Sequence, residues 1–186
     1  FGGHEYARVL KEKSCFVAPE YSEELQVSEL DASKHTKIYQ LPDGNTIQLG
    51  NERFRAPEIL FQRSLEVVES FNRVTGHGSS PFDDPFNLSV MITEVIKEAP
   101  TSLKEQLLQN ICICGGTSEL PGLPERLCHD IEFLTGNNVC ILAPPNRSYS
   151  LWQGAANLLA MPGYGGNFVT TDRYDEYGPD IVSEAF

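Results

Sequence analysis

Gly115 and Gly116 follow the alternating run ICIC at residues 111–114 and precede Thr117 and Ser118, with PGLPERL opening a helix a few residues later. Two residues without side chains at the end of a strand let a ligand come close to the backbone. The hydroxyls of Thr117 and Ser118 supply N-cap chemistry, and the first turn of a helix presents unpaired N–H groups to an anion. Close packing of helix on strand also calls for glycine, so phosphate binding and tight packing both stay open for this turn. A second group of chemistry-bearing side chains lies near the start. In HEYARVLKEKSCF, Arg8, Lys11, Glu12 and Cys15 recur on one helical face. That face is amphipathic and charged. An i,i+4 surface pair of Arg8 with Glu12, worth about 0.3–0.5 kcal/mol, is the plainer use of the same residues.

Metal and thiol chemistry find less support. His4, His35, His77 and His129 show no paired ligand spacing. The five cysteines are odd in number and form neither CxxC nor a Cys/His zinc pattern, which fits reduced thiols of a cytosolic or nuclear compartment. Cys112 and Cys114 share one face of a strand and are expected to be buried there as small hydrophobes.

The elements that must position these groups are legible from periodicity. A helix is expected over HEYARVLKEKSCF, then a polar, acidic loop or short exposed helix over residues 19–37. IYQLPDGNTIQL reads as a hairpin turning at Pro42-Asp43-Gly44-Asn45. Pro57 and Glu58 suit the first turn of a helix, since proline loses no needed N–H there and a carboxylate favours the positive end. Residues 71–87, with two glycines, a serine pair and two prolines, read as a long surface loop. Helices follow over NLSVMITEVIKEAP and SLKEQLLQN, then the ICIC strand, a helix over PERLCHDIEFLTG ending near Gly136, a strand in NVCILAPP, and a helix over SLWQGAANLLA with Trp152 in the core. Strands alternating with helices predict an α/β fold, a mixed sheet flanked by helices.

The totals bound the rest. The 186 residues are 40% hydrophobic, enough for one domain with its own core. Fourteen basic against twenty-six acidic residues give a net charge of −12. A nucleic-acid backbone is repelled by such a surface, so direct nucleic-acid binding is not expected. No run approaches the roughly 20 apolar residues of a membrane span, and FGGHEYARVL lacks the regions of a signal peptide. The chain opens without Met on a helical pattern, so further polypeptide is expected upstream.

Read in order, LPDGNTIQLGNERFRAPEILFQ, ICICGGTSELPGLPERL, APPNRSYSLWQGAANL and YDEYGPDIV resemble the C-terminal half of the actin family, over nearly the whole chain from RVLKEKSCFVA onward. A divergent actin-related protein fits best. The resemblance implies one lobe of an actin-like, ribonuclease H-like ATPase. Residues 1–18 would form the helix where the small domain meets the inner lobe, 19–150 the inner large-domain lobe with its hairpin and long loop, and 151–186 a segment returning to the outer lobe. ATP or ADP is then expected between two lobes, with Mg²⁺ held mainly through the phosphates and the half of the polypeptide not contained here.

By the same resemblance Arg8, Lys11 and Glu12 would face base and ribose. Gly115, Gly116 and Thr117 would flank the diphosphate, continuing along the backbone of Glu119 and Leu120 beside the adenine. Leu158, Met161, Gly163, Tyr164 and Phe168 would line a tail groove that takes amphipathic helices and neighbouring actin-like or complex subunits; ordinary lobe packing is the plainer role, above all for Leu158. Two departures stand out: Ser148 replaces a lysine usual in the family, which implies weaker nucleotide binding, and the 71–87 loop is longer, which puts filament packing in doubt. No catalytic residue is identified, and slow ATPase activity is expected only together with the other half. The expected setting is the cytoplasm and cytoskeleton, with the nucleus as the other compartment. Three functions follow: a nucleotide-switched assembly subunit, a constitutive structural subunit of a motor- or chromatin-associated complex, and, ranked last, a small-molecule kinase.

Overall fold

Leu88, Ile92 and Ile96 recur at helical spacing, and so do Leu123, Leu127 and Ile131. These two apolar stripes pack against each other as the centre of the fold. The computed structural model describes residues 3–41, 44–62, 82, 84–163 and 168–185. Helix α1 spans Gly3–Ser14 and leads through buried Val17 and Ala18 into α2, Tyr21–Leu30. A 3₁₀ turn at Ala32–His35 is capped by the Asp31 carboxylate, which accepts from the Ser33 N–H at 3.0 Å. Strands β1, Lys37–Gln40, and β2, Thr46–Leu49, then pair antiparallel from Lys37↔Leu49 to Gln40↔Thr46. This is the expected hairpin; Pro42 and Asp43 of its turn lie outside the described residues.

Helix α3, Glu52–Arg55, runs into a 3₁₀ turn at Pro57–Leu60, shorter than the helix expected there. Most of the loop expected at 71–87 lies outside the described residues. Asn87 caps α4, Leu88–Glu98, by accepting from the Ser89 and Val90 N–H groups at 2.8 and 3.2 Å. After α5, Thr101–Leu108, comes β3, Ile111–Cys112; α6, Leu123–Thr135, crosses back to β4, Ile141–Leu142, so that β3 and β4 pair in parallel. Gly136, at φ 67°, ends α6 in the left-handed conformation that helix C-termini favour. The tail carries α7, Ser150–Leu159, α8, Thr171–Tyr177, and α9, Asp180–Ala185.

The main core joins Val17, Phe61, Ile96, Leu108, Leu123, Leu127 and Ile131, with Ile111 and Ile113 of the central strand region packed on it. Each fully buried side chain of this size contributes about 1.5–3 kcal/mol. A smaller cluster holds Ala18, Tyr21 and Phe54, with the buried His35 ring 5.2 Å from Phe54. Of the loop or short exposed helix expected over residues 19–37, the helix forms as α2, and Tyr21, Ser28 and His35 give the segment a buried face.

Two expectations fail. Cys112 and Cys114 are exposed, because Ile111 and Ile113 take the core side of the strand and the thiols fall on the opposite side. Trp152 is 72% exposed rather than in the core. All residues from Leu151 to Gly163 are exposed, so no described element covers that helix. No helix among the described residues is long and apolar enough to cross a membrane.

Candidate functional site

Three segments distant in sequence close around one cleft of about 660 Å³. Lys11 and Glu12 enter from α1; Ala56, Pro57, Ile59 and Leu60 form a largely apolar wall; Gly116, Thr117, Glu119 and Leu120 form the third side. The volume suits a small-molecule ligand, and an apolar wall with a few convergent polar groups is the usual make-up of such sites.

The third side owes its shape to glycine. Gly115 has φ 89°, a conformation that costs an L-residue roughly 1–2 kcal/mol. Its carbonyl accepts from the Ser118 N–H at 3.1 Å and hydroxyl at 2.7 Å, closing the 3₁₀ turn Gly116–Glu119. A β-carbon on Gly116 would meet nothing within 4 Å, so that backbone faces open space.

The turn is bolted from outside by Arg147, in the 3₁₀ turn Arg147–Tyr149. Its Nε and Nη2 donate to the Ser118 carbonyl at 2.8 and 2.6 Å, and its own carbonyl accepts from the Gly115 N–H at 3.0 Å. Glu119 accepts from the Ser148 N–H at 3.0 Å and lies 3.6 Å from Arg147 Nη1. At the departure noted in the sequence, therefore, the backbone of Ser148 is held by a carboxylate that also lines the cleft.

Behind the apolar wall sits an ion cluster. Glu58 is fully buried and receives Arg126 Nη2 and Nη1 at 3.1 and 3.3 Å; Arg126 Nε also bonds Asp130 at 2.9 and 3.0 Å. Burial, together with nearby Asp130, pushes the Glu58 carboxyl up to about 7 against the opposing pull of Arg126. Burial works against the Arg126 charge, but its two carboxylates outweigh that and hold the guanidinium protonated.

Of the eight residues singled out for a nucleotide, Lys11, Glu12, Gly116, Thr117, Glu119 and Leu120 line the same cleft. Gly115 is not among the lining residues. Arg8 does not line it; its guanidinium is paired with Glu5 and, at 3.1 Å, with Glu12, the plain surface pairing. In the tail, Leu158, Met161 and Phe168 are 44%, 57% and 45% exposed and Gly163 is exposed, while Tyr164 lies outside the described residues.

Sequence reasoning missed Glu58, Arg126, Asp130 and Arg147. The i,i+4 spacing of Arg126 and Asp130 in PERLCHDIE was the available signal, but nothing in one sequence says that such a pair is buried. Among the described residues no group of three or more His, Cys, Asp or Glu side chains is placed to hold a metal ion. A family model described as Actin matches residues 3–186.

Proposed function

The chain belongs to the actin family, and we propose that its cleft takes the nucleoside side of ATP or ADP in an actin-related assembly subunit. One observation carries this reading: α1 and the 116–120 turn, about a hundred residues apart, present Lys11, Glu12, Gly116, Thr117, Glu119 and Leu120 to a single cleft. The donor set fits. Ala56, Pro57, Ile59, Leu60 and Leu120 offer the apolar surface that a base ring needs, and Glu12 offers an acceptor for ribose hydroxyls. The bare Gly116 leaves room for phosphate oxygens to approach backbone N–H groups.

The cleft's charge limits what this half does. Among the described residues its lining holds one cation, Lys11, against the carboxylates of Glu12 and Glu119. A polyphosphate therefore needs counter-charge from elsewhere; Mg²⁺ on the phosphates and groups from the preceding half of an actin-type polypeptide supply it in this proposal. The same division makes this chain one lobe of a ribonuclease H-like ATPase, with any slow hydrolysis dependent on the other lobe. Nucleotide would then draw two lobes together and shift affinity for neighbouring subunits in a cytoplasmic, cytoskeletal setting. The exposed apolar tail, with Leu158, Met161 and Phe168, is proposed as the face that meets amphipathic helices or other subunits.

A second reading, a constitutive structural subunit, is favoured by the hydrogen bond from the Ser148 N–H to Glu119, which sets an acid on a side of the cleft where the family usually has a lysine nearby. Calorimetric titration of the intact protein with Mg-ATP and Mg-ADP separates the two. Gly116→Arg places its side chain in open space, so it should lower affinity at least about tenfold while leaving Tm unchanged. Equal affinity of both proteins rejects the cleft as the nucleotide site, and absence of binding favours the structural subunit.

A further inference from the structure

The apolar wall at residues 56–60 has one residue turned away from the cleft. Pro57 and Ile59 face the ligand space, whereas Glu58 between them is fully buried behind it. There the Arg126 guanidinium grips it with two nitrogens, at 3.1 and 3.3 Å. The same guanidinium donates to the Ala18 carbonyl at 2.9 Å and to Asp130 at 2.9 and 3.0 Å, and its centre lies 4.5 Å from the centroid of the Phe61 ring. Its polar atoms are thus shared among three chain segments.

Arg126 also belongs to the opposite wall. The 116–120 turn runs through Pro121 and Gly122 directly into α6, and the Arg126 N–H donates to the Gly122 carbonyl at 3.0 Å. One side chain therefore reaches from the helix rooted in the glycine wall to the back of the apolar wall. We infer that Arg126 is a positioning residue for the cleft, setting through Glu58 how residues 56–60 stand against the 116–120 turn, so that nucleotide affinity follows the charge on Glu58. This inference rests on the nucleotide reading of the cleft.

The surroundings make Glu58 the group that responds. It faces Arg126 and Asp130 from α6 and the Gln62 amide, which donates to it at 3.0 Å. From α4 the Ser89 hydroxyl donates to Asp130 at 3.1 Å, and His129 lies 3.4 Å from Asp130 and 3.3 Å from Glu20 at the outer edge. A charged Glu58 accepts from both Arg126 nitrogens and holds the wall. A protonated Glu58 turns one acceptor into a donor, so one of the two bonds is lost and the wall loosens. Burial brings that change to about pH 7.

The test compares Mg-ADP affinity of the intact protein with that of Glu58→Gln, which imitates the protonated acid, from pH 5.5 to 8.5. The ratio of the two affinities should be near one at the acidic end and rise to about tenfold at the alkaline end; the nucleotide's own phosphate titration cancels in the ratio. A ratio that stays constant with pH overturns the inference. A variant-free measurement covers the case in which Glu58→Gln does not fold. By linkage, bound ADP must lower the pKa of Glu58, followed by carboxyl-carbon NMR, by about one for a tenfold effect. An unchanged pKa with ADP bound overturns the inference as well. Failure to bind ADP at any pH instead removes the nucleotide reading on which it stands.

Discussion

Gly122 stands so close to Val17 that a β-carbon on it would lie 2.1 Å from the Val17 carbonyl oxygen. The neighbouring Val17 N–H donates to the Pro121 carbonyl at 2.8 Å, so the two backbones are in direct contact. This contact ties the segment leaving α1 to the turn that follows the cleft's glycine wall, and it sets the distance between two of the three walls.

Gly122→Ala should therefore be severe. The residue has φ 83°, which alone costs an L-side chain roughly 1–2 kcal/mol, and relief of the clash must move backbone rather than a side-chain end. A loss of at least about 2 kcal/mol is expected, roughly 4–8 °C in Tm for a chain of this length. Unchanged thermal unfolding would mean that the two segments do not touch.

Gly115 and Gly116 should behave differently from each other although they are adjacent. Neither has a neighbour that a β-carbon would strike, but only Gly115 has a positive φ, 89°. Gly115→Ala is expected to cost about 1–2 kcal/mol of stability and Gly116→Ala almost none. Parallel urea titrations of the two variants read the difference. Equal losses would show that the turn does not need the positive φ at Gly115.

Periodicity carried most elements because their burial is local. Leu123, Leu127 and Ile131 mark one face of α6 from spacing alone, and Pro42-Asp43-Gly44-Asn45 marked the hairpin whose strands pair as expected. The cleft was legible only through the family resemblance: nothing in composition connects Lys11 to Thr117. Exposure was the weakest inference. Alternation places Cys112 and Cys114 on one face but does not say which face meets the core, and the residue type of Trp152 suggests the core although its helix has no described cover. Glu58 read as a helix-start carboxylate because a partner sixty-eight residues away leaves no local signature.

Arg147 should matter for order in the glycine turn. Its fork holds the Ser118 carbonyl through two nitrogens, a geometry that lysine cannot reproduce. Arg147→Lys is expected to cost about 1–2 kcal/mol and to speed hydrogen exchange at the amides of Gly115 and Ser118 before the rest of the protein opens. Exchange there that matched the wild-type protein would leave the turn self-supporting.

Removing the shared cation should be worse than removing one of its acids. Arg126→Met leaves Glu58 and Asp130 buried without a counter-charge, which costs about 3–5 kcal/mol when a buried pair is broken from one side. Adding Glu58→Gln to Arg126→Met should recover part of that loss, because one stranded charge disappears. Denaturant midpoints of the single and double variants form the cycle; strictly additive losses would deny the coupling.

Glu58 also gives the fold a pH dependence whose sign can be worked out. Its carboxyl is raised from the ordinary value of about 4.5 to about 7 by burial first, with Arg126 opposing. Between those two values the folded chain keeps a proton that the unfolded chain has released, so raising the pH through this window favours unfolding. At about 1.4 kcal/mol per pH unit the contribution is about 3 kcal/mol, fully present below about pH 4.5 and lost by the time pH passes 7. Unfolding free energies measured at intervals from pH 5 to 8 should therefore fall more steeply in the wild-type protein than in Glu58→Gln, where this group no longer titrates. If the wild-type protein instead gained stability relative to Glu58→Gln as the pH rose, Glu58 would be ionised throughout that range, with Arg126 outweighing the cost of its burial.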